Sequence, residues 1–259
     1  MIVLALDTAT EELAIGVGRW DAGSGEVLGS HDLRAPRSAN TRLLPEVATL
    51  LAAHGLSAAD IGAVVVGRGP GSFTGVRIGV ATAKGMAHGR GVPLFGVGTP
   101  DAVAARLRGH DGLVGVVGDA MRSEVYPVLF RVLGGRVQRL TPDIVAGPAE
   151  VARQWASEIR EPLTLTGNGL AKYAEVFGEA LGDRAVLAPE ALWTPSGESL
   201  LIEAFATCDL TARPDAGTLL PVYTRLSDAE ELERRRLAAG GTCVPESGVA
   251  GPGDAGTAS

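Results

Sequence analysis

The sequence is poor in the residues that build metal sites and disulfides. The 259-residue chain has two cysteines, Cys208 and Cys243, whereas disulfide frameworks and zinc sites need several at close spacing. None of its four histidines lies four residues from another, so no helix face carries a histidine pair for a metal. We therefore predict no metal ligand and no structural disulfide. Because no motif supports one, we also predict no catalytic residue.

Long hydrophobic runs are also missing. No apolar stretch approaches the ~18 residues that a bilayer-spanning helix requires. The first apolar run, at residues 2–6, ends at Asp7 and follows no positively charged region, which favours a buried strand over a signal peptide. We expect a cytoplasmic protein with no membrane contact.

An excess of basic residues is the third absence. The chain has 23 Lys and Arg residues against 30 Asp and Glu residues, with a net charge of −7 and a pI near 5.2. A protein that binds RNA by itself usually presents a basic face, because neutralised phosphates supply most of the affinity. Strong direct binding of any RNA, tRNA included, is therefore not expected, and a partner would have to hold the RNA in any RNA chemistry.

The order of the predicted elements repeats along the chain. In the first half we predict strands at 2–6, 14–19, 27–33, 63–67 and 94–97 and helices at about 41–54 and 74–88. In the second half we predict, in the same order, strands at 113–117, 125–132, 136–140 and 163–166 and helices at 148–159 and 170–181. This order predicts an α/β protein with a duplicated ribonuclease-H-like fold in two lobes.

Domain boundaries follow from the same order. The first lobe is predicted at 1–105 and the second at 106–194, and a helix at about 195–209 is expected to pack back on the first lobe. Residues 210–239 are predicted to form a C-terminal extension with a charged helix at 228–239. Residues 240–259 are rich in Gly, Pro, Ser and Ala, which predicts a disordered tail.

A glycine-rich loop joins a buried strand to a helix. Residues 67–75 read Gly-Arg-Gly-Pro-Gly-Ser-Phe-Thr-Gly, and such a loop at a helix N-terminus can approach an anion closely. It lacks the Gly-Lys-Ser/Thr ending of a Walker A loop, and Pro70 breaks the nucleophile-elbow pattern around Ser72. The other interpretation is a tight turn whose helix is capped by Ser72 or Thr74.

Two neighbouring helices carry faces that would suit a partner. Gly75, Gly79, Ala83 and Ala87 recur every four residues and form a flat face that lets another helix approach closely. Helix 41–54 carries an apolar stripe. Both faces could instead cover the protein's own sheet, which is the commoner outcome for any single helix. The candidate partner-interface residues are Leu43, Leu44, Val47, Leu51, Gly75, Val76, Gly79, Val80, Ala83 and Ala87.

A cleft between the lobes is the candidate cofactor site. Asp7 and Thr8 follow the first strand, and Asp119 takes the matching place in the second half, where this architecture usually holds phosphate and metal. The turn Gly167-Asn168-Gly169 would suit close approach of an adenine or ribose. As lone residues they are equally well explained as turn formers. The candidate ligand is ATP or ADP, at the cleft or at a complex interface, and no cofactor is expected to be required.

Several motifs, in order along residues 1–226, resemble one known family. Residues 69–85, Gly-Pro-Gly-Ser-Phe-Thr-Gly-Val-Arg-Ile-Gly-Val-Ala-Thr-Ala-Lys-Gly, closely resemble the signature of the bacterial TsaB (YeaZ) family, and so does Leu-Asp-Thr-Ala-Thr at 6–10. Weaker matches lie at 42–45, 118–126, 167–169 and 221–225. The segment 34–41 departs from the pattern: relatives often carry His-Ser-Glu there, and this chain has Pro-Arg-Ser-Ala-Asn at 36–40.

The resemblance implies a fold, partners and a role. The fold would be actin-like and sugar-kinase-like (ASKHA). Family members partner a paralogous catalytic subunit, TsaD, which transfers the threonylcarbamoyl group to adenosine 37 of tRNAs that read ANN codons, and a TsaE-type ATPase joins them. The family contacts TsaD through its first two helices, and the same faces could form a homodimer when the chain is alone. By this resemblance the chain is a scaffold and not an enzyme by itself.

An enzyme of the same fold is the alternative. A small-molecule kinase would need a catalytic carboxylate and a phosphate loop in both halves, and the second half offers Asp119 but no loop comparable to 67–75. A peptidase would need a metal pair or a nucleophile with its base, and no motif for either is apparent.

Overall fold

Two five-stranded sheets of identical topology form the core of the computed structural model, which describes residues 1–224. The predicted helix at 228–239 and the predicted tail at 240–259 lie outside the described residues. The described part clusters as a single unit.

The first half holds five strands and three helices. In chain order they are β1 (Ile2–Asp7), β2 (Glu12–Asp21), β3 (Ser24–Arg34), α1 (Ala39–Ala53), β4 (Ile61–Gly67), α2 (Phe73–Arg90), β5 (Leu94–Val97) and α3 (Thr99–Ala105). The sheet order is β3-β2-β1-β4-β5. β1 is antiparallel to β2 and parallel to β4, so β1 lies in the middle and is buried on both faces.

The second half repeats this arrangement element by element. It comprises β6 (Gly112–Asp119), β7 (Val125–Leu133), β8 (Arg136–Arg139), α4 (Pro148–Glu158), β9 (Leu163–Thr166), α5 (Leu170–Leu181), β10 (Ala185–Leu187) and α6 (Gly197–Thr207). Its sheet order, read from the other edge, is β8-β7-β6-β9-β10. The predicted duplicated α/β architecture with two lobes is confirmed. The sequence did not predict α3 or β10.

Each sheet is covered on one face by its own helices. Side chains alternate across a strand, so Leu4 and Leu6 of β1 face the helix pair α1 and α2. In the second half, Leu113 and Val117 of β6 face α4 and α5 in the same way. This face of the first sheet, with its two helices, is the part of the fold that positions the candidate partner surface.

The last helix of each half covers the sheet of the other half. Leu200 and Leu201 of α6 are fully buried against Val3 and Ala5 on the second face of the first sheet. Conversely, α3 packs its apolar side chains on β6 and β7 of the second sheet. Without the other half, one face of each sheet would be exposed to solvent. The two halves therefore complete one another's hydrophobic core.

Candidate partner surface and interlobe cleft

The glycine and alanine stripe of α2 faces inward, which corrects the prediction that it forms a partner surface. Gly75, Gly79, Ala83 and Ala87 are all buried. A side chain at Gly79 would overlap the hydroxyl oxygen of Thr8, so the flat face serves close packing of α2 on the end of β1. Spacing of four residues defines a face of a helix, but it does not say which way that face points.

The remaining predicted interface residues follow the same pattern, with one exception. Leu44 is 54% exposed. Its companions are core residues, since they are all at most 4% exposed: Leu43, Val47, Leu51, Val76 and Val80. Nine of the ten predicted side chains therefore cannot reach a partner in this structure, and only the outward faces of the two helices can.

A row of uncharged and mostly small residues lies on the outward face of the helix pair. On α2 the row Ala81 and Gly85 lies two positions from the buried stripe, which at 100° per residue places it on the opposite side of the helix. On α1 the matching exposed residues are Leu44, Ala48 and Ala52. We call these five residues the outer α1–α2 surface. Its composition is typical of a face that another helix can approach closely.

Gly85 makes no contact among residues 1–224 that requires a glycine. A β-carbon built at Gly85 meets no atom within 4 Å, although the residue lies well inside the helix Phe73–Arg90. A glycine inside a helix costs about 1 kcal/mol relative to alanine. Gly75 and Gly79 allow close packing on β1 in return for that cost, whereas Gly85 allows nothing inside the described chain. The signal that could have found it is the second small-residue row, at 81 and 85.

Asp7 and Thr8 brace the glycine-rich loop and do not face the cleft. Asp7 is fully buried; its carboxylate accepts hydrogen bonds from the Ala9 amide at 2.5 Å and from the Thr99 hydroxyl at 2.6 Å. Burial raises the pKa of Asp7, and these hydrogen bonds lower it in part. The Thr8 hydroxyl donates to the Gly75 carbonyl at 2.6 Å. Both side chains are therefore already engaged, which corrects their assignment as cofactor contacts.

The loop at 67–75 has the geometry of the tight-turn interpretation. Ser72 caps α2, because its hydroxyl oxygen accepts a hydrogen bond from the Gly75 amide at 3.2 Å. The Ser72 amide donates to the Ala9 carbonyl at 2.7 Å. Within the first turn of α2, the Gly75 and Val76 amides thus both donate to Ser72.

The matching position in the second half is closed by an ion pair. Asp119 contacts the Lys172 ammonium group at 2.5 Å and accepts a hydrogen bond from the Met121 amide at 3.0 Å. The pairing raises the pKa of Lys172, chiefly through its hydrogen bond to Asp119. The Asn168 side-chain oxygen accepts from the Asp119 amide at 2.9 Å, so the turn at 167–169 is tied to the end of β6.

The cleft between the halves has little space. Its volume open to water centres is about 20 Å³, on the scale of a single water molecule. Gly167 and Asn168 line it together with Ala9, Pro70 and Trp193. The residues present do not fit a nucleotide in this conformation, since the two carboxylates are engaged and the halves would have to separate. Within residues 1–224 no cluster of His, Cys, Asp and Glu side chains could hold a metal ion.

None of the helices within residues 1–224 combines the length and hydrophobicity that a bilayer crossing requires. The fold and the site thus define a two-lobed protein of the actin-like, sugar-kinase-like class, with a closed cleft and an exposed helix pair.

Comparisons with known proteins agree with that class and narrow it. The sequence model of the family described as "TsaD: tRNA N6-adenosine threonylcarbamoyltransferase" matches residues 33–231. The tRNA threonylcarbamoyladenosine biosynthesis protein TsaB of Bacillus subtilis is 30% identical over 233 residues, which cover 89% of this chain and 96% of that protein. The Escherichia coli TsaB protein is 42% identical over 128 residues, or 49% of this chain and 53% of its own length.

A solved structure is similar over most of both chains. The crystal structure of a Pseudomonas aeruginosa protein, described as uncharacterized and similar to peptidase YEAZ, matches with a TM-score of 0.71 at 30% identity. The match covers 86% of this chain and 99% of the other. The chain belongs to the TsaB (YeaZ) family.

Proposed function

We propose that this chain is a non-catalytic scaffold subunit in the biosynthesis of threonylcarbamoyladenosine in tRNA. In this role it binds and activates a TsaD-like catalytic paralogue, with a TsaE-like ATPase in the same assembly, for modification of adenosine 37 in tRNAs that read ANN codons. The pathway is supported by the name of the Bacillus subtilis relative, which matches over nearly the full length of both chains.

The single observation that carries the scaffold role is the outer α1–α2 surface with Gly85 at its centre. The five residues of this surface are exposed and uncharged. Gly85, like Gly89 and Gly178, makes no contact within the described residues that requires a glycine, and of these three only Gly85 lies in the outer α1–α2 surface. A partner helix lying across Gly85 would explain why the chain tolerates the cost of a mid-helix glycine, because a bare backbone allows the closest approach. The same surface would support a homodimer when the partner is absent.

The closed cleft supports a role without catalysis by this chain. A kinase of this fold would need free carboxylates at the strand ends, and here Asp7 is bonded to Thr99 and Asp119 to Lys172. We propose that no nucleotide is required for the scaffold role and that any ATP or ADP binds at an interface with a partner. Cytoplasmic location is part of the same proposal.

The test is binding of a purified TsaD-like subunit to a Gly85→Leu variant. A β-carbon at position 85 meets no atom within 4 Å, and leucine favours a helix more than glycine does, so we expect the variant to stay folded. In the complex the same side chain would separate the two helices. We expect at least about tenfold weaker binding, measured by titration calorimetry, with an unchanged or higher melting temperature.

The matched control is Gly178→Leu. Gly178 also lies inside a helix, α5, and has open space around it, but it belongs to the second half. This variant should bind as the wild type does. Equal affinity of the Gly85→Leu variant and the wild type would contradict the proposed surface.

A further inference from the structure

Two aromatic rings surround one guanidinium group at the N-terminal end of α2. Phe73 and Arg77 lie one turn apart, and the guanidinium carbon is 3.7 Å from the centre of the Phe73 ring. Tyr223 completes the cluster: its ring centre is 5.6 Å from that of Phe73, and its hydroxyl accepts a hydrogen bond from Arg77 Nε at 2.9 Å. The Arg77 side chain is therefore held in one orientation.

Residues 217–223, called the C-terminal segment below, hold Tyr223 against α2. The Val222 amide donates to the Arg68 carbonyl at 2.8 Å, and the Lys84 ammonium group donates to the Gly217 carbonyl at 3.0 Å. Leu219 packs on the hydrophobic cluster beneath α1 and α2. The sequence match that begins at residue 221 is thus explained in part by a structural role, since residues 217–223 contact α2 and its preceding loop.

The cluster leaves the binding edge of Arg77 unused. The guanidinium group uses Nε for Tyr223, and neither Nη1 nor Nη2 has a hydrogen-bond partner among residues 1–224. These two nitrogens form the fork that binds a carboxylate through two parallel hydrogen bonds. Because the aromatic rings already order the side chain, binding would cost less conformational entropy than it does for a free arginine.

Arg77 continues the row of α2 that forms the outer α1–α2 surface. Residues 77, 81 and 85 follow at intervals of four, and all three are exposed. α2 contains no Asp or Glu, and the acidic residue of α1, Glu46, is paired with Arg42 at 2.6 Å and with His31 at 3.2 Å. Among the described residues 1–224, Arg77 thus has no acidic partner, and it lies at the edge of the outer α1–α2 surface on a protein with a net charge of −7.

We propose that Arg77 is the polar anchor of the outer α1–α2 surface and receives an Asp or Glu carboxylate from the partner subunit. The inference rests on the proposed function, because it needs a partner helix on this surface. A protein carboxylate suits the site better than an RNA phosphate does. RNA binding needs several free cations. The other Lys and Arg side chains of α1 and α2 are already engaged within the chain: Arg42 with Glu46, Lys84 with the Gly217 carbonyl and Arg90 with the Ala59 carbonyl.

Affinity for the purified TsaD-like subunit tests the anchor. Arg77→Gln should weaken binding at least about tenfold. Arg77→Lys should weaken it less, because lysine keeps the positive charge but cannot form the two parallel hydrogen bonds of a guanidinium group. The loss should shrink at high salt. The control is Arg153→Gln, since Arg153 is another exposed helical arginine whose Nε contacts a carbonyl oxygen, at Ala149, far along the chain in α4.

A charge exchange identifies the carboxylate. Arg77→Glu should abolish binding to the wild-type partner. One Asp→Arg or Glu→Arg substitution in the partner should then raise the affinity of the Arg77→Glu variant at least about tenfold. Failure of every such substitution to restore binding would overturn the proposed ion pair.

Other outcomes separate this inference from the proposed function. If Arg77→Gln binds as the wild type does while Gly85→Leu does not, the anchor is refuted and the scaffold surface stands. If Arg77→Gln and Tyr223→Phe lower the melting temperature equally and leave affinity unchanged, Arg77 only ties the C-terminal segment to α2. If Arg77→Gln weakens binding of labelled tRNA and not of the partner, the anion is a phosphate. If the wild type does not bind the partner, both proposals fail.

Discussion

Glu203 is a buried carboxyl group whose pKa is raised by its surroundings. It lies on α6 and is 8% exposed. Its pKa is raised to about 7, chiefly by burial and then by the charge of Asp101, while Arg139 lowers it. Arg139 forms an ion pair with Asp101 at 2.5 Å, so its positive charge is mostly neutralised by that carboxylate and lowers the pKa of Glu203 only in part.

This pKa predicts how stability depends on pH. The folded chain holds the proton more tightly than the unfolded chain, whose carboxyl group has a pKa of 4.5. The contribution of Glu203 is therefore fully present below pH 4.5 and is lost as the pH rises through about 7. At about 1.4 kcal/mol per pKa unit, the free energy of unfolding should fall by about 3 kcal/mol over that range.

Urea unfolding of Glu203→Gln between pH 5 and 8 checks this prediction. The variant should lose most of the slope and exceed the wild type in stability at pH 8. Asp7 also has a raised pKa, and it contributes the same pH dependence to the wild type and to the variant. The quantity to compare is therefore the difference in the free energy of unfolding between the two proteins at each pH. Glu198→Gln, an exposed residue of the same helix, is the control and should leave the curve unchanged. Parallel curves for Glu203→Gln and the wild type would refute the assignment.

At the scale of an element, α2 shows two glycines with opposite roles. Gly79 lies against Thr8, so a β-carbon there would overlap the Thr8 hydroxyl oxygen. We expect Gly79→Ala to lower the free energy of unfolding by about 1–3 kcal/mol. Gly85→Ala should raise it by up to about 1 kcal/mol, because the position is open and alanine favours the helix. Chemical denaturation of both variants measures the contrast, and equal effects would show that α2 is packed differently.

The two glycines also show what spacing alone can and cannot predict. The sequence identified the helix and its small-residue stripe, because periodicity of four residues is visible in one chain. The prediction placed the stripe on the wrong side of the helix, because Gly79 is recognised as a core position only by its contact with Thr8, the residue after β1. The exposed row at 81 and 85 has the same periodicity, and the predicted interface did not include it.

Short elements were missed for a related reason. α3 spans seven residues and β10 spans three, which is too short for a hydrophobic period to stand out. Their positions depend on contacts with distant strands. The longer strands and helices were predicted because their apolar runs are bounded by glycine, proline and charged residues.

At the scale of the whole molecule, the duplicated order of elements determined the fold correctly. Two copies of one connectivity specify two sheets of one topology, and the structure has them. The closed cleft was not predictable, because it depends on partners far apart in sequence. Thr99 lies 92 residues from Asp7, and Lys172 lies 53 residues from Asp119. Asp7 and Asp119 look alike as strand-end carboxylates, and only these partners show that both are engaged.

The central claim is that the catalytic step of tRNA threonylcarbamoylation depends on this chain without being performed by it. The direct measurement is reconstitution with purified TsaD-like and TsaE-like subunits, the enzyme that forms threonylcarbamoyl-adenylate, ATP, threonine, bicarbonate and tRNA. Modified tRNA should form only when the full chain is added, and the Gly85→Leu variant should support little of it. Equal product without the chain, from subunits shown to be active, would contradict the scaffold role.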